Sequence, residues 1–361
     1  MSESHRRKPS MVYALLARNF WRRSVQGLVP GYFASVMATG IVSIALHLVG
    51  WGGLSAAFWA FATAMYLVLV VAYSLRLVLA PQAFASDLLN PAVLFGFFTF
   101  VAGSGVLGSR FILSGLVAVG WGLAVAAAIS WFGLSYWAGY RLLDGNRLPA
   151  SQVVNGTWLL LTVGAQALAV IASLLAMPDR AATAGLLVFA FVMWGVGILF
   201  YLAVIMAVMG RLFFSAISPT ETTPPYWINM GAVAITTLAG AHLVLSAPHS
   251  LFLGRVAPFV EGFTVILWGF GSWWIPLLFV TGWWRHVRGK VPVRYDPAFW
   301  SMVFPLGMYT AATGTLATLP GLAMLNQVVP WGLAAALAAW TATALGYAVH
   351  SWRWLQQSRN L

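Results

Sequence analysis

Cysteine is absent from the 361-residue chain, which excludes disulfides, thiolate metal sites and cysteine nucleophiles and leaves the redox compartment open. Charge is nearly as scarce. Only 7% of residues are Asp, Glu, Lys or Arg, against roughly 25% in a soluble domain, so no water-facing globular surface can be assembled. Of the seven carboxylates, Glu3, Asp87, Asp144, Asp179, Glu221 and Asp296 fall in polar connections or the N-terminal leader, and only Glu261 stands near the start of an apolar run. The histidines are His5, His47, His242, His249, His286 and His350. No two stand at the i, i+3 or i+4 spacing that puts two metal ligands on one helix face. Polar residues do not assemble into a nucleophile, base or metal constellation, so neither an enzyme nor a metal or organic cofactor is expected. The string GSGVLG, Gly103 to Gly108, matches a dinucleotide fingerprint, yet no strand precedes it and no acid follows about 20 residues on; it reads as a close-packing helix surface.

Hydrophobic residues make up 61% of the chain, and the mean hydropathy is +0.86. Ten stretches approach the roughly 20 apolar residues that cross a bilayer. They run near Val29 to Gly50, Ser55 to Leu79, Pro91 to Gly108, Leu116 to Trp137, Thr157 to Met177, Thr183 to Gly210, Trp227 to Ala247, Pro258 to Trp284, Ala298 to Thr318 and Val328 to Trp352. The expected fold is an all-α integral membrane protein of ten transmembrane helices. With an even number of spans both termini share a side, and 16 of the 19 Lys and Arg residues fall there; only Arg110, Arg180 and Arg255 lie opposite. That bias puts both ends in the cytoplasm. It also accounts for the net charge of +12 without any nucleic-acid partner; the surroundings expected are membrane lipid.

Three segments follow: a basic leader over 1–27, a ten-helix domain over 28–352 and a cytoplasmic tail over 353–361. Within the leader, Val12, Leu15, Leu16, Asn19 and Phe20 recur at helical spacing with Arg18, Arg22 and Arg23 around the other face, which predicts an interfacial amphipathic helix from Ser10 to Gln26. Among the spans, the odd ones are rich in Ala, Gly, Ser and Thr: ten in the 17 residues from Gly231 to Ala247 and ten in the 18 from Ser301 to Thr318. The corresponding windows of the sixth and eighth spans, Leu186 to Ala203 and Gly262 to Phe279, hold four and five. Small residues let helices approach closely or surround a passage, so the alternation predicts odd helices inside even ones. The fourth span breaks the rule, with nine small residues in 18 from Gly120 to Trp137.

Several strings resemble one family: VMATGIVSIA from Val36, NGTWLLLTVGAQALA from Asn155, PPYWINMGAVAITTLAGA from Pro224, GSWWIPLL from Gly271 and YDPAFWSMVFPLGMYTAAT from Tyr295. They resemble the tellurite-resistance/dicarboxylate transporters, a family that includes the plant slow-type anion channels and yeast malate and sulfite permeases; the bacterial tellurite-resistance branch is the most similar. The resemblance implies five helical hairpins in quasi-fivefold arrangement around a central pore, assembled as a homotrimer. It also implies a pore-blocking phenylalanine before a proline in the ninth helix, matched here by Phe304 and Pro305.

Two readings of function remain. One is an inner-membrane anion channel or channel-like facilitator gated by Phe304, in which no odd-span carboxylate couples transport to protons and weakly polar groups solvate the ion. Thr39, Gly40, Gln166, Thr236 and Thr310 are the candidate lining residues. The other is a proton-coupled carrier of malate-like dicarboxylates or of oxyanions such as tellurite or sulfite, with Glu261 or a histidine carrying the proton.

Overall fold

The computed structural model describes residues 25–144, 153–176 and 182–359, and among them it is helical with no strand. The leader helix expected from Ser10 to Gln26 lies outside the described residues except for its last two positions, as do Arg147, Asp179 and Arg180. Ten principal helices follow in order: α1 (Pro30–Leu48), α2 (Gly52–Leu79), α3 (Pro91–Leu113), α4 (Val117–Asp144), α5 (Gly156–Leu175), α6 (Thr183–Phe214), α7 (Pro224–Leu245), α8 (Leu251–Arg288), α9 (Trp300–Leu316) and α10 (Val329–Arg359). Nine of them, all but α9, are long and apolar enough to cross a membrane. Helix α9 has only 17 residues, with Pro305, Tyr309 and three threonines among them. Helix α10 continues to Arg359, through the residues expected to form the tail.

Odd and even helices differ in surroundings. The most apolar windows of α1, α3, α5 and α7 are 78%, 83%, 83% and 83% buried, against 17%, 17%, 39%, 28% and 22% for α2, α4, α6, α8 and α10. Helix α9 is buried along almost its whole length. Each odd helix packs on the even helix that follows it, and the odd helices also pack on one another in a closed cycle, α1 on α3, α3 on α5, α5 on α7, α7 on α9 and α9 back on α1. The even helices form the outer layer. They expose Val68, Ile129, Leu199, Ile266 and Phe279, the surface that a hydrocarbon solvent requires.

The fourth span's small residues have a specific explanation. Gly120, Ala124, Ala127 and Ala138 join Trp131 in one buried stripe at roughly three- to four-residue spacing, whereas nothing lies within 4 Å of a Cβ built at Gly122, Gly133 or Gly139. Part of this content is a packing seam and part faces outward, so α4 is an outer helix despite its composition.

Local signals set the helix ends. A 3-10 turn lies at or near the start of each inner helix: Pro30–Phe33, Phe95–Phe97 (after the α-helical turn Pro91–Leu94), Gly156–Leu159, Pro224–Trp227 and Pro297–Phe299. Aligned on these turns, PGYF, FGFF, GTWL, PPYW and PAFW all carry an aromatic ring at the third position: Tyr32, Phe97, Trp158, Tyr226 and Phe299. The residues beside them pack on outer helices: Phe33 lies edge-on to Tyr66 of α2 at 5.6 Å, and Trp227 to Phe279 of α8 at 5.7 Å. At the other end, Gly50 and Gly115 terminate α1 and α3 with φ of 82° each, a left-handed conformation glycine adopts without strain. The amides of Trp51 and Leu116 then donate back to Leu46 and Phe111 at 2.9 and 3.0 Å.

The two layers are stitched by indoles. Trp131 of α4 donates to the Leu161 carbonyl of α5, Trp194 of α6 to the Thr236 carbonyl of α7, Trp268 of α8 to the Thr313 hydroxyl of α9, and Trp340 of α10 to the Thr39 hydroxyl of α1, all at 3.0 Å. On α2 the corresponding partner is electrostatic, with Trp59 lying 5.0 Å from the Arg110 guanidinium of α3. Every outer helix therefore reaches forward to the inner helix of the next hairpin.

Inner turns also meet at van der Waals limits. A Cβ built on Gly156 falls 2.2 Å from the Pro225 carbonyl oxygen and 2.5 Å from its carbon. Because that neighbour is backbone, Gly156→Ala is expected to destabilise the protein by about 1–3 kcal/mol. Gly122→Ala, in open space, should leave it unchanged or slightly stabler; thermal unfolding of both variants in detergent is the check.

Candidate functional site

The closed cycle of inner helices surrounds a small cavity of about 20 Å³, lined by residues of all five. Ile41 of α1, Val106 of α3, Ala167 of α5, Ile235 of α7 and Met308 of α9 form one level of it. Each lies eight residues beyond the aromatic or leucine that completes the opening motif, Phe33, Phe98, Leu159, Trp227 and Trp300. Ile44, Ser109, Val170 and Leu238, three residues further on, form the next level. Apart from the Ser109 hydroxyl, no side chain in this lining is polar.

One turn nearer the opening motifs, the same helix faces carry Met37, Ala102, Val163, Gly231 and Phe304, since residues i and i+4 share a face. All five are buried, and Met37 and Phe304 are the only large ones. The Phe304 ring is fully buried. Pro305 turns toward α7, where a Cβ on Gly231 would come within 2.8 Å of its ring. Close approach also marks the residue before the first lining level: Cβ atoms on Gly40, Gly105 and Gly307 would meet Val106, Ala167 and Ile41 at 3.0, 2.8 and 2.9 Å, each on the next inner helix of the cycle.

The polar residues expected at the lining are engaged elsewhere. Thr39 accepts from Trp340, Thr236 donates to Ala232 at 2.6 Å while its carbonyl accepts from Trp194, and Thr310 donates to Leu306 at 2.8 Å with Gly332 of α10 packed beside it. Gln166 is fully buried, and its amide donates to the Trp194 carbonyl at 3.0 Å while its own oxygen lacks a partner. These groups sit in seams between helices. Gly40 contacts α3 at the cavity wall. Glu261 is half-buried on the outer helix α8 and forms no ion pair among the described residues.

Larger cavities lie at the periphery. One of about 480 Å³ lies among Val70, Tyr73, Phe84, Leu88 and Leu134, between α2, α4 and the short helix Pro81–Leu89. Another of about 380 Å³ lies between α6 and α8. Neither touches the ring's interior lining.

Among the described residues, two arginines at helix ends form ion pairs. Arg76 bonds Asp87 at 2.7 Å, holding the short helix to α2, and Arg211 bonds Glu221 at 3.0 Å. The backbone amide of Ser218, then its hydroxyl and Arg211, hold the Glu221 carboxyl below its ordinary range, so it is ionised at neutral pH. Arg110 differs: it is buried in the last turn of α3, and its contacts are to serine hydroxyls. Among the described residues, no group of three His, Cys, Asp or Glu side chains is placed to hold a metal.

Sequence reasoning missed the lining. Ile41, Val106, Ala167, Ile235 and Met308 look like ordinary apolar helix residues, and only the fivefold recurrence of the turn motif points to them. Arg110 was counted merely as a charge at a span end.

The described residues form an all-helical bundle whose small, close-packed inner helices surround an apolar centre, an architecture suited to membrane transport. The sequence profile described as voltage-dependent anion channel, SLAC1, matches residues 27–348, and the chain belongs to that family. Among its relatives is an uncharacterised membrane protein of Mycobacterium tuberculosis, 41% identical over 155 residues, which cover 42% of this chain and 76% of that one. Two uncharacterised transporters of Methanocaldococcus jannaschii are 27% and 26% identical, each over 80% of this chain and over 83% and 84% of their own lengths.

The seam assignment of Thr39 is testable by a double-mutant cycle. Thr39→Val and Trp340→Phe are each expected to lower stability by about 1 kcal/mol, and the double variant by less than the sum, because both remove one hydrogen bond. Additive losses in detergent unfolding would mean that the two side chains do not interact.

Proposed function

We propose that the chain is an inner-membrane anion channel, or channel-like facilitator, that passes small inorganic or organic anions along the centre of a quasi-fivefold ring of five hairpins, with Phe304 as the gate. One observation carries this reading: all five inner helices contribute to a single narrow, apolar cavity, and the fully buried Phe304 ring lies on the same face of α9 as its lining residue Met308. An aromatic ring across an apolar constriction excludes water, and an ion cannot shed its hydration shell there. Pro305, against Gly231, gives the backbone beside the ring a place where the helical hydrogen-bond ladder is already interrupted. Rotation of one side chain would then open the path without rearranging helices.

The basic bias supports cytoplasmic termini. Homotrimeric assembly follows only from the family resemblance. The competing reading, a proton-coupled carrier of dicarboxylates or oxyanions, needs a titratable group that faces the permeant ion. The lining holds none, and Glu261 stands on an outer helix. Passive flux is favoured.

In liposomes holding the purified protein, Phe304→Ala is expected to raise chloride, nitrate or malate flux at least tenfold over wild type, independently of an imposed pH gradient. Flux that ignores the substitution and follows the pH gradient would replace the channel with the carrier.

A further inference from the structure

Two arginines of the described residues follow the usual solution for a guanidinium withdrawn from water: Arg76 pairs with Asp87, and Arg211 with Glu221. Arg110 does not. It is 4% exposed, and no carboxylate among the described residues lies within ion-pair distance. Its Nε donates to Ser43 Oγ of α1 at 3.1 Å, one terminal nitrogen to Ser55 Oγ of α2 at 3.1 Å, and the other to Ser114 Oγ in the turn after α3. The Trp59 ring covers it at 5.0 Å. The serines are themselves fixed. Ser43 and Ser55 each donate to the other's backbone carbonyl at 2.7 Å, so their oxygens stay oriented toward the guanidinium.

This shell satisfies the hydrogen-bonding demand of the cation with neutral groups and leaves its charge uncancelled. A carboxylate at any of the three serine positions would have met the same demand and erased the field. The position also matters. Arg110 follows Ser109, and Ser43 precedes Ile44, and both Ser109 and Ile44 line the central cavity. The guanidinium thus belongs to, and bonds, residues adjacent in sequence to the cavity wall on α3 and α1. It lies toward the Leu113 end of the ring, beyond the Phe304 level. None of the equivalent inner-helix positions, Ala45, Ile171, Ala239 and Ala312, carries a charge.

We propose that Arg110 is the anion-selectivity determinant of this pathway: a buried, hydroxyl-solvated cation that makes the Leu113 end of the central cavity favourable for anions and unfavourable for cations, without itself contacting the ion. The inference rests on the channel reading above. Over roughly 10 Å through a protein-like dielectric, a unit charge changes ion occupancy on the order of tenfold. Because the charge is shielded from solvent, salt screens it weakly. A site that attracts at a distance also does not trap the ion, so selectivity is compatible with rapid passage.

The test uses planar bilayers under a potassium chloride gradient, with Phe304→Ala as the conducting background and the reversal potential as the readout. Arg110→Gln should lower the chloride-to-potassium permeability ratio roughly tenfold. Ser55→Asp, which keeps the arginine and gives it a carboxylate partner, should lower the ratio in the same direction, and Arg110→Lys should largely preserve it. A purely structural arginine would lower protein yield or thermal stability in Arg110→Gln but leave the ratio of the surviving channels, and that of Ser55→Asp, at the parent value; that result overturns the proposal. Absence of any conductance in the Phe304→Ala parent overturns the channel reading, and the selectivity role with it.

Discussion

Hydrogen-bond satisfaction in a medium without water is the constraint on which the rest of this structure depends. Threonines, a glutamine and backbone carbonyls on the inner helices have no solvent to turn to, and indole N–H groups on the outer helices have none either. The two deficits cancel at the seams, where Trp131, Trp194, Trp268 and Trp340 meet α5, α7, α9 and α1. Since each outer helix bonds to the inner helix of the following hairpin, the hairpins are interlocked in a cycle. A hairpin that moved outward would break polar contacts on both sides.

The same commitment decides what is left for the centre. Once Thr39, Thr310 and Thr236 are spent on helix contacts, the faces turned inward carry isoleucine, valine, alanine, leucine, methionine and glycine, with Ser109 the one polar side chain among them. Glycine just before the first lining level brings α1, α3 and α9 close to the next inner helix, and the ring contracts until little more than 20 Å³ remains within this level. Narrowness and apolarity thus have one origin. For an ion both act in the same direction, because a constriction that cannot hydrate an ion holds it back.

Much of this architecture was legible in the sequence. Composition and hydropathy gave the membrane class, the small-residue alternation separated inner from outer helices, and the strings from Val36, Pro224 and Tyr295 led to the family that the profile match bears out. The lining was less legible, for a physical reason. Polar residues on a membrane helix signal that something satisfies them, and a partner helix does so as well as a passage does; Thr39 and Gln166 look the same in either case. Helix α4 shows the complementary ambiguity, since glycine and alanine serve a packing stripe and a lipid face alike. What resolves both is the internal repeat. The third-position aromatics Tyr32, Phe97, Trp158, Tyr226 and Phe299 put the five inner helices in register, and counting forward from them finds the cavity without reference to polarity.

That register also isolates the two residues that break the fivefold pattern in chemical character. At the level of Met37, Ala102, Val163 and Gly231, only α9 contributes a ring, and among the last turns only α3 contributes a charge. A ring of near-equivalent helices has no intrinsic place for a switch or for a sign of charge, so both must come from departures from equivalence. On the proposed reading the departures divide the work: Phe304 controls whether the centre is open, and Arg110, on a different helix and at a different level, controls which sign of ion finds the open centre favourable. Because the two share no contact that either needs for its role, the closed state can be altered without altering selectivity.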